Sequence, residues 1–316
     1  MEDIEMNNDF PGGVWPTMIT PFTDSNTIDY NALESMIEWY IKNKVDGLFA
    51  VCQSSEMFFL SLRERAELAR FVKKATNGRI PVIASGHVSN ALEDQIVEIK
   101  AIAETGVDAV ILITNRFSLP VESDEITKRN LEKVLKALDS KIPLGFYECP
   151  FPYKRIISPE LLNWCASTGR FYFLKDTSCD IKNIKAKIAS VKGTPLKIYN
   201  ANAATLLQSL KEGAAGYSGV MANFHPDLYA WLIKNWKERP EEAEKLHCFL
   251  SVASQIEKQI YPVNAKYNMR LEGIKIGLKT RSKDHYDFSD TNKLEIEHLH
   301  ELSKLYSGRC IYNGID

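Results

Sequence analysis

The chain has 316 residues, with 39 basic against 41 acidic side chains and a formal net charge of -2. Apolar residues make up 45% and charged residues 25%, the balance of a folded globular protein, so disordered and collagen-like classes are excluded. So even a charge balance argues against a dedicated nucleic-acid binder, and no run approaches the roughly 20 apolar residues of a membrane-spanning helix.

Met1 to Phe10 is acidic and polar, which reads as no signal peptide. Cys52, Cys149, Cys165, Cys179, Cys248 and Cys310 are scattered without a C-x-x-C pair, so free thiols in a reducing cytoplasm are expected. Short β-rich runs follow at Val14–Thr20, Gly47–Cys52, Pro81–Gly86, Ala109–Thr114, Leu144–Cys149, Phe171–Thr177, Leu196–Ala201 and Gly216–Val220. Most are near-continuously apolar, as in parallel strands buried on both faces.

Helical patterns fill the gaps. Leu33, Met36, Ile37, Tyr40 and Ile41 form one apolar stripe. Ser61 with Glu64 reads as a capping box, and Ser158 before Pro159 as an N-cap with proline at the first helical position. Asn90, Ser123 and Asp180 are expected caps for three more helices, and Gly106 and Gly213 are placed as left-handed helix ends. A strand–helix alternation repeated eight times predicts an α/β fold, a (β/α)8 barrel, over 13–225. A tail at 1–12 precedes it, and a helical appendage at 226–316 carries Trp231/Trp236, Leu246–Ile260 and Ala265–Gly277. A doubly wound sheet is the competitor, but no glycine-rich nucleotide loop occurs.

In such a barrel the chemistry sits at the C-terminal strand ends. Lys175 closes the apolar run FYFL; facing inward it would be desolvated, its pKa lowered and its amine nucleophilic. The alternative is a lysine that reaches solvent or pairs with Asp176. Tyr147, ending the neighbouring strand, could relay a proton to a lysine-bound substrate, or be a core tyrosine satisfied locally. Ser54 and Ser55 offer hydroxyls and amides for a carboxylate, or serve as turn and capping residues. His87 reads as structural or as a secondary substrate contact. A zinc set of Cys52, Cys149, Cys179 and His87 has no supporting ligand spacing, so no metal is expected.

These residues, in order, resemble the dihydrodipicolinate synthase/N-acetylneuraminate lyase family of class I Schiff-base aldolases. The likeness runs from Gly13–Phe22 (GVWPTMITPF) through CQSSE (Cys52–Glu56), YECP (Tyr147–Pro150), KDT (Lys175–Thr177) and GAAGYSGVMAN (Gly213–Asn223) to YPVNAKY (Tyr261–Tyr267). The resemblance implies that Lys175 forms an imine with a 2-oxo acid, typically pyruvate, and that Tyr147 relays protons. It implies that Ser54, with the amides of Gln53 and Ser54, holds the carboxylate, with Ser55 in the same loop. The carbonyl of Ser218 would lie near the imine and Thr177 near the second substrate. No metal or organic cofactor is implied, and the family's usual assembly is a homotetramer, a dimer of dimers.

Departures from the family pattern shape the expectation. Gln53 replaces the loop's first hydroxyl, Cys52 and Ser55 replace its glycines, and Phe117 stands at the partner-subunit tyrosine position. Phe151–Pro152–Tyr153 lacks the synthase arginine, though Lys154 and Arg155 follow. The loop from Asn200 to Ala204 lacks the acidic pair of the sialic acid lyases, and Val220 replaces a serine. The expectation is a lyase acting between pyruvate and an aldehyde, with a 2-keto-3-deoxy sugar acid or sialic-acid-like substrate. Asn200, Asn202, Thr177, His87 and Asn115 are its expected hydroxyl contacts. The alternatives are a dihydrodipicolinate synthase, using pyruvate and aspartate semialdehyde, and a non-catalytic 2-oxo-acid-binding barrel.

Overall fold

The computed structural model describes residues 10–308; positions 1–9 of the expected tail, and Cys310, lie outside them. The eight strands are β1 (Gly13–Val14), β2 (Leu48–Val51), β3 (Val82–Ala84), β4 (Ala109–Ile113), β5 (Leu144–Tyr147), β6 (Phe171–Asp176), β7 (Lys197–Asn200) and β8 (Gly216–Tyr217). All pairings are parallel, in the order β1-β8-β7-β6-β5-β4-β3-β2. A bridge between Thr17 and Phe49 joins the two ends of this series. There the Met18 amide donates to the Phe49 carbonyl and the Phe49 amide to the Pro16 carbonyl, both at 3.0 Å. The result is a (β/α)8 barrel. Each strand is shorter than the run that predicts it, because ladder pairing stops where the chain turns into its loop while burial continues.

The helices on the barrel are α1 (Tyr30–Lys42), α2 (Leu62–Thr76), α3 (Leu92–Ala103), α4 (Asp124–Ala137), α5 (Pro159–Ser167), α6 (Ile181–Ser190), α7 (Leu206–Lys211) and α8 (Pro226–Asn235). Beyond them come α9 (Pro240–Ala253), α10 (Val263–Leu271) and α11 (Asp290–Ser307), with α11 packed on α10 and α8. The Ser61–Glu64 capping box is formed, and Ser158 and Asp180 cap α5 and α6 through their side chains. Ser123 occupies the N-cap position of α4 without a side-chain bond. The expectation for Asn90 is corrected: Ala91 is the N-cap of α3, and the Asn90 side chain instead accepts a bond from Arg116 at 2.7 Å.

The barrel interior is filled by aromatic rings. Phe173 stacks on Tyr199 at 4.1 Å between centroids and meets Trp15 edge-on at 5.2 Å. Phe49 lies edge-on to both Phe173 and Tyr147. Side chains alternate along a strand, so Lys175, two residues after the inward-facing Phe173, also points inward and one layer higher. Space at the β1–β8 seam is tight: a Cβ on Gly216 would lie 1.9 Å from the Gly13 carbonyl oxygen. Only glycine lets these strands approach so closely.

Candidate active site

Lys175 is 3% exposed at the C-terminal end of β6. Its ammonium has no hydrogen bond or ion pair among the described residues; it lies over the Tyr147 ring, 4.4 Å from the centroid, and 6.0 Å from that of Phe49. The expected alternative partner, Asp176, is held elsewhere. Burial lowers the Lys175 pKa to about 8, against the opposing influence of Cys52, Cys149 and Glu257. A lysine so placed is partly neutral near physiological pH and can attack a carbonyl. Tyr147, its Cα partner across the β5–β6 ladder, is buried as well, and burial pushes its phenol well above its ordinary value.

Two carboxylates sit directly beside this pair, turned away from it. Lys187 of α6 bridges Glu148 and Asp176 with all three side chains fully buried, at 2.6 Å to Asp176. Glu148 also accepts the amides of Ile157 and Thr177, each at 3.0 Å, while Asp176 accepts the amide and hydroxyl of Ser178. The cluster clamps the ends of β5 and β6 and the loop after β5. Burial, with the charge of Asp176, raises Glu148 to about 7 even though Lys187 pulls it down.

The loop after β2 carries the expected carboxylate site. Ser54 donates to the Thr17 hydroxyl at 3.2 Å and hydrogen-bonds the Tyr261 phenol, which accepts from Asn223 at 3.1 Å. Asn223 in turn accepts from Tyr40 at 2.5 Å and donates to the Thr17 carbonyl at 2.9 Å. Ser55 is used as a turn residue: its hydroxyl donates to the Cys52 carbonyl and accepts from the Cys52 amide, both at 2.7 Å. The amides of Ser54 and Ser55 lie against the Cys52 sulfur. Gln53 reaches toward β5, where its Oε1 accepts from the Cys149 thiol at 3.4 Å. Glu56 ties this loop to the C-terminal region, accepting the amides of Arg281 and Ser282 beside the Lys266 ammonium, which is 3.6 Å away.

Other expected contacts are engaged by the fold itself. Thr177 donates its hydroxyl to the Glu148 carbonyl at 2.7 Å. Asn202 caps Thr205, Asn200 donates to Thr205 and Ser209, and Asn115 lies against the carbonyls of Cys149, Phe151 and Tyr153. His87 accepts the Ile113 amide at 2.7 Å, and burial drops its pKa to about 4. Phe117 is buried within its own chain against His87, at 5.3 Å between rings. Ser218 lies at the end of β8 with its amide on the Asn200 carbonyl; its buried hydroxyl has no partner among the described residues. No group of three His, Cys, Asp or Glu side chains among the described residues is placed to hold a metal ion. Among those residues, no helix is long and apolar enough to cross a membrane.

Four groups around the site escape a reading of single motifs: Thr17, Asn223, Tyr261 and Glu257. The first three converge on Ser54 from separate stretches of chain. Glu257, in the 3-10 turn Ser254–Lys258, acts electrostatically on Lys175 and on the phenols of Tyr217, Tyr229 and Tyr261. Its side chain is exposed, and desolvation by its surroundings raises its carboxyl.

A (β/α)8 barrel with a desolvated lysine over a tyrosine at its C-terminal mouth falls in the class of pyruvate-dependent carbon–carbon lyases. The sequence model of the dihydrodipicolinate synthetase family matches residues 10–296, and the chain belongs to that family. Its members use a lysine–pyruvate Schiff base without an external cofactor. The chain is 28% identical to the 4-hydroxy-tetrahydrodipicolinate synthase of Bacillus subtilis, over 84% of this chain and 91% of that one. To the same enzyme of Thermodesulfovibrio yellowstonii it is 29% identical, over 74% and 79%. YagE, a prophage protein of the dihydrodipicolinic acid synthase family from E. coli K12 solved with pyruvate, shares the fold with a TM-score of 0.83. It is 22% identical, with 93% of this chain and 99% of YagE covered.

Proposed function

We propose that this chain is a class I aldolase that makes or breaks a carbon–carbon bond between pyruvate and an aldehyde. Lys175 forms the imine, and Tyr147 moves the protons that imine formation and bond cleavage require. The observation that carries this reading is the unpaired, desolvated Lys175 ammonium 4.4 Å from the Tyr147 ring. The protonated imine draws electrons from the breaking bond, so the enamine left on pyruvate is stabilised without a metal. Ser54, held by Thr17 and Tyr261, supports the pyruvate carboxylate.

For the second substrate we favour a hydroxyaldehyde, released from a 2-keto-3-deoxy sugar acid. Of the side chains expected to bind its hydroxyls, Asn115 keeps a buried Oδ1 without a partner among the described residues, and Glu257, within electrostatic reach of Lys175, offers a carboxylate acceptor. Glu257 would also repel an anionic aldehyde. A second reading, synthesis from pyruvate and aspartate semialdehyde, has the names of the relatives and one observation in its favour. Lys154 extends its ammonium to the Thr177 carbonyl at 2.7 Å, so a cation reaches the mouth although no arginine occupies Phe151–Tyr153. The barrel over 13–225 would then be the catalytic unit, with the later helices supporting its mouth.

Borohydride reduction in the presence of pyruvate, followed by peptide mass spectrometry, tests the chemistry: Lys175 should carry the reduced adduct. An unmodified Lys175 would sink the assignment. A pyruvate-release screen of 2-keto-3-deoxy acids, run beside condensation with aspartate semialdehyde, separates the two substrates. Trapping without turnover of any aldehyde would favour a binding protein.

A further inference from the structure

Cys149 stands between the proton-moving tyrosine and the side chain that replaces the family's loop hydroxyl. Its amide donates to the Tyr147 carbonyl at 2.8 Å, a tight turn that brings its thiol back toward the phenol, and each group acts on the other's titration. The same sulfur lies 3.4 Å from Gln53 Oε1 and 3.4 Å from the Phe151 carbonyl oxygen. A thiol has one proton, so it serves one acceptor at a time while its sulfur remains free to accept.

We infer that Cys149 is a positioning residue for Tyr147, and that Gln53 and the Phe151 carbonyl hold its thiol in reserve for the phenolate. The inference rests on the imine chemistry proposed above. At rest the S–H donates to Gln53 or Phe151, and the sulfur accepts from the phenol. During imine formation the Tyr147 O–H bond breaks, and its proton passes to the carbinolamine oxygen. The C–O bond then breaks and water leaves, while the O–H electron pair stays on the phenolate. The S–H turns to donate to that phenolate until a proton returns to it. At rest the thiol keeps its proton. Burial holds its pKa up at about 11, so the donor persists across the working range. Gln53, an amide, cannot carry a proton onward as a hydroxyl could, which makes it an anchor for the thiol.

The titratable groups facing the pair are Cys52 from the end of β2, Tyr261 ahead of α10 and Lys175 from β6; Glu257 acts through Lys175. Among the described residues, no carboxylate is recorded as a leading influence on the Tyr147 phenol or the Cys149 thiol.

The test is the rate of borohydride trapping at Lys175 in the full chain, against pyruvate concentration and pH. Cys149→Ala should trap about tenfold more slowly at saturating pyruvate, the scale of one lost hydrogen bond in the transition state. Its half-saturating pyruvate concentration should stay unchanged, and the alkaline limb of its pH profile should move. Cys149→Ser, which keeps a donor and an acceptor, should stay within about threefold of the parent. Equal trapping and an identical pH profile in Cys149→Ala would overturn the inference and leave the imine assignment standing. Equal loss in both variants with weaker pyruvate binding would also overturn it, because that pattern marks pocket shape. Absence of trapping in the parent protein would remove both proposals. Thermal unfolding of each variant shows whether it is folded.

Discussion

Tyr147 and Lys175 are Cα partners in the β5–β6 ladder, and the Lys175 ammonium lies over the Tyr147 ring. The backbone register itself therefore sets their spacing, and the two face the interior because the alternation of both strands is in phase. Below pH 8 the amine is mostly protonated, so the trapping rate with pyruvate should rise with pH and level off above about 8. Tyr147→Phe keeps the ring and loses the proton. Trapping in that variant should fall by about 10² to 10⁴ while pyruvate binding persists. A pH-independent rate between 6 and 9 would contradict the assignment; the pH–rate profile checks it.

The same lysine has a cost in stability. Its pKa is about 8 when folded against 10.5 when unfolded, so the penalty is present in full below pH 8 and disappears as pH rises to 10.5. Lys175→Met should accordingly be inactive and more stable at pH 7, by up to about 3 kcal/mol on the scale of 1.36 kcal/mol per pKa unit. The gain should shrink above pH 8, as measured by chemical denaturation at several pH values.

Lys187 is the only cation recorded between the buried Glu148 and Asp176 among the described residues. Lys187→Met leaves two carboxylates close together in a dry environment, with an expected loss of about 3–5 kcal/mol. A fall in Tm with a pH dependence favouring acid, where the carboxylates are protonated, is the signature in a thermal melt.

Gly216→Ala puts a methyl group 1.9 Å from the Gly13 carbonyl, a backbone atom without freedom to move aside. Because Gly13 and Gly216 are register partners at the β1–β8 seam, the loss should reach about 1–3 kcal/mol or more. Denaturant unfolding measures it.

Tyr261→Phe removes the hydroxyl shared by Asn223 and Ser54. One lost hydrogen bond of about 1 kcal/mol should raise the KM for pyruvate roughly fivefold, with a smaller effect on kcat. Steady-state kinetics with varied pyruvate checks the split.

The barrel was legible because burial on both strand faces writes itself into uninterrupted apolar runs, and Lys175 stood out as a charge ending one of them. Local bonds were legible too: the Ser61–Glu64 box and the Ser158 cap span three residues each. Asn90 failed as a cap because its side chain is taken by Arg116, 26 residues on. The Glu148–Lys187 pair is 39 residues apart, and Tyr40, Thr17, Asn223 and Tyr261 meet only when the barrel closes. Polarity at a strand end can be read two ways. Asn115, Asn200 and Asn202 look like substrate contacts in a string of letters, yet loops need their amides to satisfy backbone groups of their own.

The seam between β1 and β2 is the thinnest part of the wall, since β1 has two residues and Thr17 supplies the bridge to Phe49. Thr17 also receives Ser54 and Asn223, so one residue fastens the cylinder and braces the carboxylate loop together. Ligand held by that loop would thus act as a rivet on the weakest joint. The Met18 amide, bonded across the joint to Phe49, becomes a built-in gauge of occupancy: its deuterium uptake should slow when pyruvate is bound.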